Sequence, residues 1–84
     1  MFLKLMTISK TLTIYSTSHC HLCDNAIAIL NELAIYPFTI VEITDSEQLL
    51  ISYGTKIPVL RRDDNKAELN WPFNAQEVVQ FLKV

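Results

Sequence analysis

The amino-acid sequence predicts an α/β fold in which helices flank a four-stranded mixed sheet, with the element order β-α-β-α-β-β-α. In the first half, runs of β-branched and aromatic residues alternate with a stretch of helical period, which is the pattern of a βαβ unit. The second half closes with two short strand-like runs around a turn and an amphipathic stretch, which indicates a hairpin covered by a helix. We expect residues 1–84 to form one domain of this kind.

The first half of the chain supplies two strands and the helix between them. Residues 11–16 and residues 38–43 are rich in β-branched and aromatic side chains, so both are predicted strands. The helix is predicted to start at or just before Cys20 and to end before Pro37, because proline cannot continue a helix. Its apolar positions recur with helical spacing, and they are Leu22, Ala26, Ile29, Leu30 and Leu33.

The middle of the chain carries a short second helix and the first strand of the hairpin. Asp45 or Ser46 can cap a helix that runs to about Tyr53, with Gly54 as its terminator. Residues 57–61, which have a proline near their start, are the predicted third strand.

The last part of the chain completes the hairpin and adds a terminal helix. Residues 63–65 (Asp-Asp-Asn) are a turn signal before a fourth strand at residues 66–70. Asn74, followed three residues later by Glu77, has the spacing of a capping box. The helix that it opens carries an apolar stripe formed by Val78, Phe81 and Leu82.

Some side chains near these elements are expected to have structural roles only. Arg61 and Arg62, which stand next to the acidic turn, are expected to be surface charges of the hairpin. Tyr15, Tyr36 and Tyr53 are expected to pack rather than to take part in chemistry.

Composition and charge disfavour a nucleic-acid or membrane-anchoring role. Half of the residues are hydrophobic, and the formal net charge is −2 with both signs interspersed. We therefore expect neither a nucleic-acid nor a membrane partner. The apolar residues 1–6 are too short for a signal peptide, and no apolar run reaches the roughly 18 residues that span a bilayer. The expected location is the cytoplasm, with residues 1–6 as an N-terminal extension.

The chemistry of the chain is expected at its two cysteines, which lie between the first strand and the first helix as Cys20-His21-Leu22-Cys23. A disulfide across so short a loop would stabilise the fold little, so the pair indicates a reactive site rather than a structural disulfide. Unpaired N–H groups and the helix dipole favour a thiolate at a helix start. Cys20 is therefore the predicted nucleophile, and Cys23 the thiol that resolves a mixed disulfide.

Two other functions remain open for the same residues. His19, Cys20, His21 and Cys23 are four potential metal ligands. Adjacent residues rarely converge on one ion, and no second ligand pair follows, so a zinc site or a cluster bridged between two chains is the less favoured interpretation. The alternatives are a metal or iron–sulfur carrier, and a redox-silent adaptor that binds through a surface around Trp71.

Two separated motifs resemble the glutaredoxin-like branch of the thioredoxin superfamily. They are residues 18–23 (Ser-His-Cys-His-Leu-Cys) after a strand and residues 56–59 (Lys-Ile-Pro-Val) before another. The predicted element order is similar over nearly the whole chain, and small bacterial glutaredoxin-like proteins share the Trp-Pro-Phe near the C-terminus. The resemblance implies a thioredoxin-like fold and a thiol–disulfide oxidoreductase that reduces protein or glutathione mixed disulfides.

The resemblance also implies roles for residues that would contact a substrate. It implies that Pro58 is cis and lies beside the redox pair, and that the backbone of Ile57 pairs with an extended thiol substrate. It further suggests that Lys56 binds the glycine carboxylate of glutathione. From its chemistry, His21 can stabilise the Cys20 thiolate by charge or hydrogen bonding. Asp24, in the first turn of the helix, would act in the opposite direction.

The sequence departs from the family pattern where glutathione specificity is decided. Glutaredoxins typically carry a Gly-Gly with a nearby acidic residue before the last helix, whereas residues 69–74 here contain no glycine. Trp71 and Phe73 are expected either to close that groove or to fill the core. The usual basic residue before the cysteines is replaced by Ser18 and His19. We expect a monomer that acts on thiol or disulfide substrates, with no tightly bound cofactor and glutathione as a candidate co-substrate.

Overall fold

The computed structural model describes residues 12–83. Over that range the elements are β1 (Leu12–Ser16), α1 (His21–Glu32), β2 (Phe38–Glu42), α2 (Glu47–Tyr53), β3 (Val59–Arg62), β4 (Glu68–Asn70) and α3 (Ala75–Lys83). A short 3-10 turn, Ile43–Asp45, links β2 to α2. The predicted element order is confirmed. The apolar extension 1–6 and the predicted strand residue Thr11 lie outside the described residues.

The four strands of the described range form one mixed sheet in the order β2-β1-β3-β4. β1 and β2 are parallel, because α1 crosses over between them, and Ser16 lies beside Glu42 where both strands end. β3 is antiparallel to β4, as the hairpin requires, and it is also antiparallel to β1. The predicted four-stranded mixed sheet with flanking helices is therefore confirmed.

β1 is a central strand, and all five of its residues are buried. One face of the sheet packs against α1 and α3 in a core formed by Leu12, Ile14, Ala26, Leu30, Leu60, Phe73 and Val78. The other face carries a smaller core of Tyr15, Ile43 and Val59, against which α2 packs through Leu49 and Tyr53. The molecule thus has three layers, with the sheet in the middle.

Side-chain caps mark the starts of α2 and α3 as the sequence predicts. The Ser46 hydroxyl accepts the N–H of Leu49 at 3.3 Å, so Ser46 rather than Asp45 is the cap of α2. The Asn74 side chain accepts the N–H of Glu77 at 2.8 Å, and the Glu77 carboxylate accepts the N–H of Asn74 at 3.0 Å. The predicted capping box is confirmed.

Gly54 ends α2 because of a close approach rather than a left-handed backbone. Its φ of −53° lies in the right-handed region that any residue adopts. A Cβ at this position would lie 2.5 Å from the backbone oxygen of Leu50, so a larger residue would force the end of the helix to shift.

Arg62 and Leu22 have environments that differ from the expected ones. Arg62 is only 3 % exposed, and its guanidinium donates to both carboxylate oxygens of Asp64 and to the backbone oxygen of Phe81. The expectation of a surface charge was wrong here, because these partners satisfy the buried cation. Leu22 is 47 % exposed, and the buried positions of α1 are Cys23, Ala26 and Leu30.

The buried face of α1 can be tested with two equal truncations. We expect Leu30→Ala to lower the free energy of unfolding by about 2–5 kcal/mol, because it leaves a cavity in the core. Leu22→Ala, on the exposed side of the same helix, is expected to change it by about 0.5 kcal/mol. Urea unfolding of the oxidised proteins, followed by circular dichroism, measures both. Equal losses of unfolding free energy in the two variants would contradict the assignment of the buried face of α1.

Candidate functional site

The cysteines lie at the edge of the sheet where β1 and β2 end. A loop of residues 17–19 leads from β1 to Cys20, which is the N-cap of α1 and has an extended backbone (φ −108°, ψ 103°). Its Sγ accepts the backbone N–H of Cys23 at 3.2 Å. Because the first N–H groups of a helix lack intrahelical partners, this sulfur occupies a position that favours negative charge. The helix start predicted at or just before Cys20 agrees with this geometry.

Cys20 and Cys23 are joined as a disulfide, with their Cα atoms 5.2 Å apart. The two residues differ in exposure, because Cys23 is 1 % exposed whereas Cys20 is only partly buried. A molecule that approaches the site from solvent therefore meets the Cys20 sulfur before the Cys23 sulfur. The two sulfurs therefore differ in their accessibility.

The segment before β3 lies on the other side of the cysteines from β2. The peptide bond between Ile57 and Pro58 is cis, as the resemblance implies, and Pro58 is fully buried. In the described range the Tyr36–Pro37 and Trp71–Pro72 bonds are also cis. Ile57 is partly buried and packs against the smaller core.

A groove of about 350 Å³ brings together three segments that are distant in the sequence. Its lining residues come from the start of α1, the connection from α2 to β3, and the end of β4 with the residue that follows: Leu22, Thr55, Lys56, Ile57, Asn70 and Trp71. Leu22, which stands between the two cysteines in the sequence, brings the groove to the first turn of α1, although neither cysteine lines it. Two of the predicted substrate-contacting residues, Lys56 and Ile57, line it, whereas Pro58 is buried beneath.

Trp71 and Phe73, the two aromatic residues before α3, differ in whether they fill the core or line the groove. Phe73 is 5 % exposed and belongs to the larger core. Trp71 packs edge-on against Phe73, with ring centroids 5.0 Å apart and an interplanar angle of 75°, and it also lines the groove. Phe73 therefore fills the core, while Trp71 forms part of the groove wall.

The histidines on either side of Cys20 are exposed. His19 has a φ of 57°, in the left-handed region, and His21 is the first residue of α1. Within residues 12–83, neither imidazole ring takes part in a hydrogen bond or an ion pair. Asp24 is also exposed, in the first turn of α1. Electrostatic action of His21 on the Cys20 thiolate stays a prediction.

Glu42, at the end of β2, is the residue of this site that sequence reasoning missed. Its Oε1 accepts the backbone N–H and the hydroxyl of Ser18, at 3.1 and 3.3 Å, and its Oε2 accepts the N–H and hydroxyl of Thr44, at 3.2 and 2.8 Å. Hydrogen bonds from the Thr17 side chain first, and then from Thr44, lower the pKa of Glu42 from 4.5 to about 2. The available signal was an acidic residue at the end of a strand parallel to the one that leads to Cys20.

The tyrosines differ in their roles. Tyr15 and Tyr53 stack with ring centroids 4.2 Å apart, and Arg61 donates to the Tyr15 hydroxyl at 2.9 Å, so both rings pack as expected. The Tyr53 hydroxyl donates to the carboxylate of Glu68, and this hydrogen bond raises the pKa of Tyr53 above its usual range. Tyr36, in contrast, is 70 % exposed, so the expectation that it packs was wrong.

The described part of the chain contains neither a cluster of metal-ligating side chains nor a helix that could span a membrane. No three side chains of His, Cys, Asp or Glu converge there as a metal site requires. Among the same residues, no helix has both the length and the apolar character needed to cross a membrane.

Comparison with known proteins identifies a family model and several solved structures that are similar to this chain. The family model described as Glutaredoxin-like domain (DUF836) matches residues 11–83. The X-ray structure of the structural genomics target protein XcR50 from X. campestris is 40 % identical, with a TM-score of 0.80 over 86 % of this chain and 95 % of that one. The solution structure of XcR50 is 39 % identical, with a TM-score of 0.78 over 86 % of this chain and 91 % of that one.

A more distant structure shows the same fold. Protein Ne2328 from Nitrosomonas europaea has a TM-score of 0.77 over 96 % of this chain and 98 % of that one, at 24 % identity. No curated protein gives a significant match. The family match and the spacing of the Cys20–Cys23 pair fit a redox role for the thiols.

The lowered pKa of Glu42 predicts a difference in acid stability. A carboxylate with a depressed pKa stabilises the fold above its unfolded-state pKa, and this stabilisation is lost as the pH falls through the folded-state value. We therefore expect Glu42→Gln to be less stable than the wild type at pH 7, with the difference narrowing between pH 4.5 and about 2. Urea midpoints measured across this range test the expectation. A difference that is constant with pH would contradict it, and Glu47→Gln, at an exposed position of α2, is the charge-matched control.

Proposed function

Because this chain belongs to the glutaredoxin-like domain family, we propose that it is a thiol–disulfide oxidoreductase whose Cys20–Cys23 dithiol reduces protein or glutathione mixed disulfides. The observation that carries the proposal is the asymmetry of the pair, in which a partly exposed sulfur caps a helix and a buried sulfur lies one turn further on. This arrangement supports a reaction in two successive exchanges.

In the first exchange, the Cys20 thiolate attacks one sulfur of a substrate disulfide. A new bond forms between that sulfur and Cys20, while the substrate's own S–S bond breaks and its other half leaves as a thiolate that takes a proton from water. The N–H of Cys23, which lies 3.2 Å from the Cys20 sulfur, and the positive end of the α1 dipole favour the reacting thiolate.

In the second exchange, the Cys23 thiolate attacks the Cys20 sulfur of the mixed disulfide. The bond between Cys20 and the substrate breaks, the substrate leaves as a thiol, and the Cys20–Cys23 disulfide forms. The substrate has then gained two electrons and the dithiol has lost two. The pair is disulfide-bonded with its Cα atoms 5.2 Å apart, so α1 already holds the geometry of this product. Two molecules of a cellular thiol such as glutathione would return the site to the dithiol and become one disulfide.

The groove at the first turn of α1 is the proposed binding surface for the substrate. Lys56 supplies a positive charge at its wall, Ile57 supplies backbone before the buried Pro58, and Leu22 and Trp71 supply apolar surface. A substrate with a carboxylate and an apolar portion near its sulfur fits these groups, and glutathione mixed disulfides and extended peptides both contain them. His21, exposed at the start of α1, is the proposed additional contact at the sulfur end of the groove.

The redox couple can be tested by equilibrating the protein in a series of glutathione buffers, quenching with acid and weighing the products by mass spectrometry. We expect an intramolecular Cys20–Cys23 disulfide to appear within about −200 to −270 mV, the range of glutaredoxins and thioredoxin. A glutathione adduct beside it would identify glutathione as a co-substrate. If neither species forms over the whole series, the proposed function is wrong.

Single cysteine variants provide the controls for this experiment. With oxidised glutathione, Cys23→Ser is expected to accumulate a mixed disulfide at Cys20, because the resolving thiol is missing. Cys20→Ser is expected to abolish exchange, because Cys23 is buried. Exchange at the wild-type rate in Cys20→Ser would contradict the assignment of the nucleophile.

The role of Lys56 can be separated from the chemistry by steady-state kinetics with a glutathionylated peptide. Exposed ion pairs contribute ~0.2–1 kcal/mol, so we expect Lys56→Gln to raise KM by about 1.4- to 5-fold with kcat nearly unchanged. Lys66→Gln makes the same change in the β3–β4 turn, at the opposite end of β3 from Pro58, and should leave KM unchanged. An equal rise in KM in both variants would indicate that the overall charge of the protein attracts the substrate, rather than a contact of Lys56 in the groove.

A further inference from the structure

Glu42 ties the ends of the two parallel strands to the loop before the cysteines. Because Ser16 and Glu42 are partners in the β1–β2 register, the Glu42 side chain reaches across to the chain that leaves β1. One carboxylate oxygen accepts both donors of Ser18, and the other accepts both donors of Thr44. The carboxylate therefore joins the β1–α1 loop to the β2–α2 connection, two residues before Cys20.

We propose that Glu42 is a positioning residue for Cys20, because its carboxylate holds the loop of residues 17–19 in the conformation that places the Cys20 sulfur over the start of α1. The inference rests on the proposed function of Cys20 as the attacking thiol. It assigns Glu42 no contact with the substrate and no part in bond making.

The backbone between Ser18 and Cys20 explains why this loop needs a support. His19 adopts a φ of 57°, and residues other than glycine keep such a conformation only when their surroundings fix it. Glu42 fixes the residue immediately before His19 through a backbone and a side-chain hydrogen bond. The extended backbone of Cys20 follows, and in this conformation its sulfur accepts the N–H of Cys23.

Positioning and simple charge predict opposite effects of Glu42 on Cys20. If the carboxylate acted only through its negative charge, its removal would favour the thiolate and lower the Cys20 thiol pKa. If it positions the sulfur, its removal loosens the loop, weakens the contact with the helix start and raises that pKa. The other titratable groups around this segment, which are His19, His21 and Asp24 beside Cys20 and Lys56 on the groove, are the same in every variant, so they do not account for a difference between variants.

The test compares Glu42→Gln and Ser18→Ala with the control Glu47→Gln, all in a Cys23→Ser background. The rate of alkylation of Cys20 by iodoacetamide, measured against pH, gives the thiol pKa. Glu47→Gln makes the same charge change on the exposed first turn of α2, outside the Glu42 hydrogen bonds. Ser18→Ala removes one donor and keeps the charge, and it replaces Glu42→Gln as the test if that variant does not fold. Circular dichroism establishes folding.

We expect Glu42→Gln to raise the Cys20 thiol pKa by about 0.5, which slows alkylation about threefold at pH values below the pKa. Ser18→Ala should raise it by less, and Glu47→Gln should leave it unchanged. In chains that keep Cys23, at pH values above the Cys20 thiol pKa, Glu42→Gln should favour the disulfide about threefold, which is a potential more negative by about 14 mV.

Two results would overturn the inference. An unchanged thiol pKa in folded Glu42→Gln and Ser18→Ala, together with reduced thermal stability, would show that Glu42 serves the fold only. A lowered pKa in Glu42→Gln would show that it acts through its charge. Failure of the proposed function is separately visible, because wild-type protein would then form no disulfide in glutathione buffers while the alkylation comparison still decides the role of Glu42.

Discussion

All five residues of β1 are buried because helices cover the sheet on both of its faces, and this double coverage is the constraint that organises the molecule. A strand buried on both faces must also be flanked by neighbours that satisfy its backbone, and β2 and β3 provide this pairing. The chain that leaves β1 therefore emerges between two other strand ends. Cys20 lies at that exit, with Glu42 of β2 on one side and Pro58, just before β3, on the other.

The features that could be predicted from the sequence are those that neighbouring residues decide. The Ser46 cap, the Asn74–Glu77 capping box and the helix start at Cys20 each involve residues no more than three positions apart. The features that could not be predicted depend on tertiary pairing. The bond from Ser18 to Glu42 joins residues 24 positions apart, and the bond from Arg62 to the Phe81 carbonyl spans 19. Local pattern gives no signal for such a partner, so a paired carboxylate and a buried guanidinium both look like surface charges.

The composition of the groove separates this chain from typical glutaredoxins. Where those proteins carry small glycines before the last helix, this chain places Phe73 in the core and Trp71 on the groove wall. An indole offers a large apolar face and a single N–H donor, whereas a glycine pair offers backbone groups and space. Under the proposed function, we expect this wall to favour substrates that bury apolar surface beside the reacting sulfur. We expect Lys56, on the same groove, to restrict that preference toward partners that also carry negative charge.

α2 differs from the other helices of the described range in how it is attached. Its seven residues include none that is fully buried, and it is held mainly where Tyr53 stacks on Tyr15 and bonds to β4. Segments with few buried apolar contacts open at lower free energy than the core around them. The connection that follows α2 carries Lys56 and so forms one wall of the groove, whereas the opposite wall belongs to α1 and is anchored by the buried Cys23. If the proposed function holds, we expect thiol substrates of different size to be accommodated by local motion of the α2 side of the groove, while the two sulfurs keep their alignment.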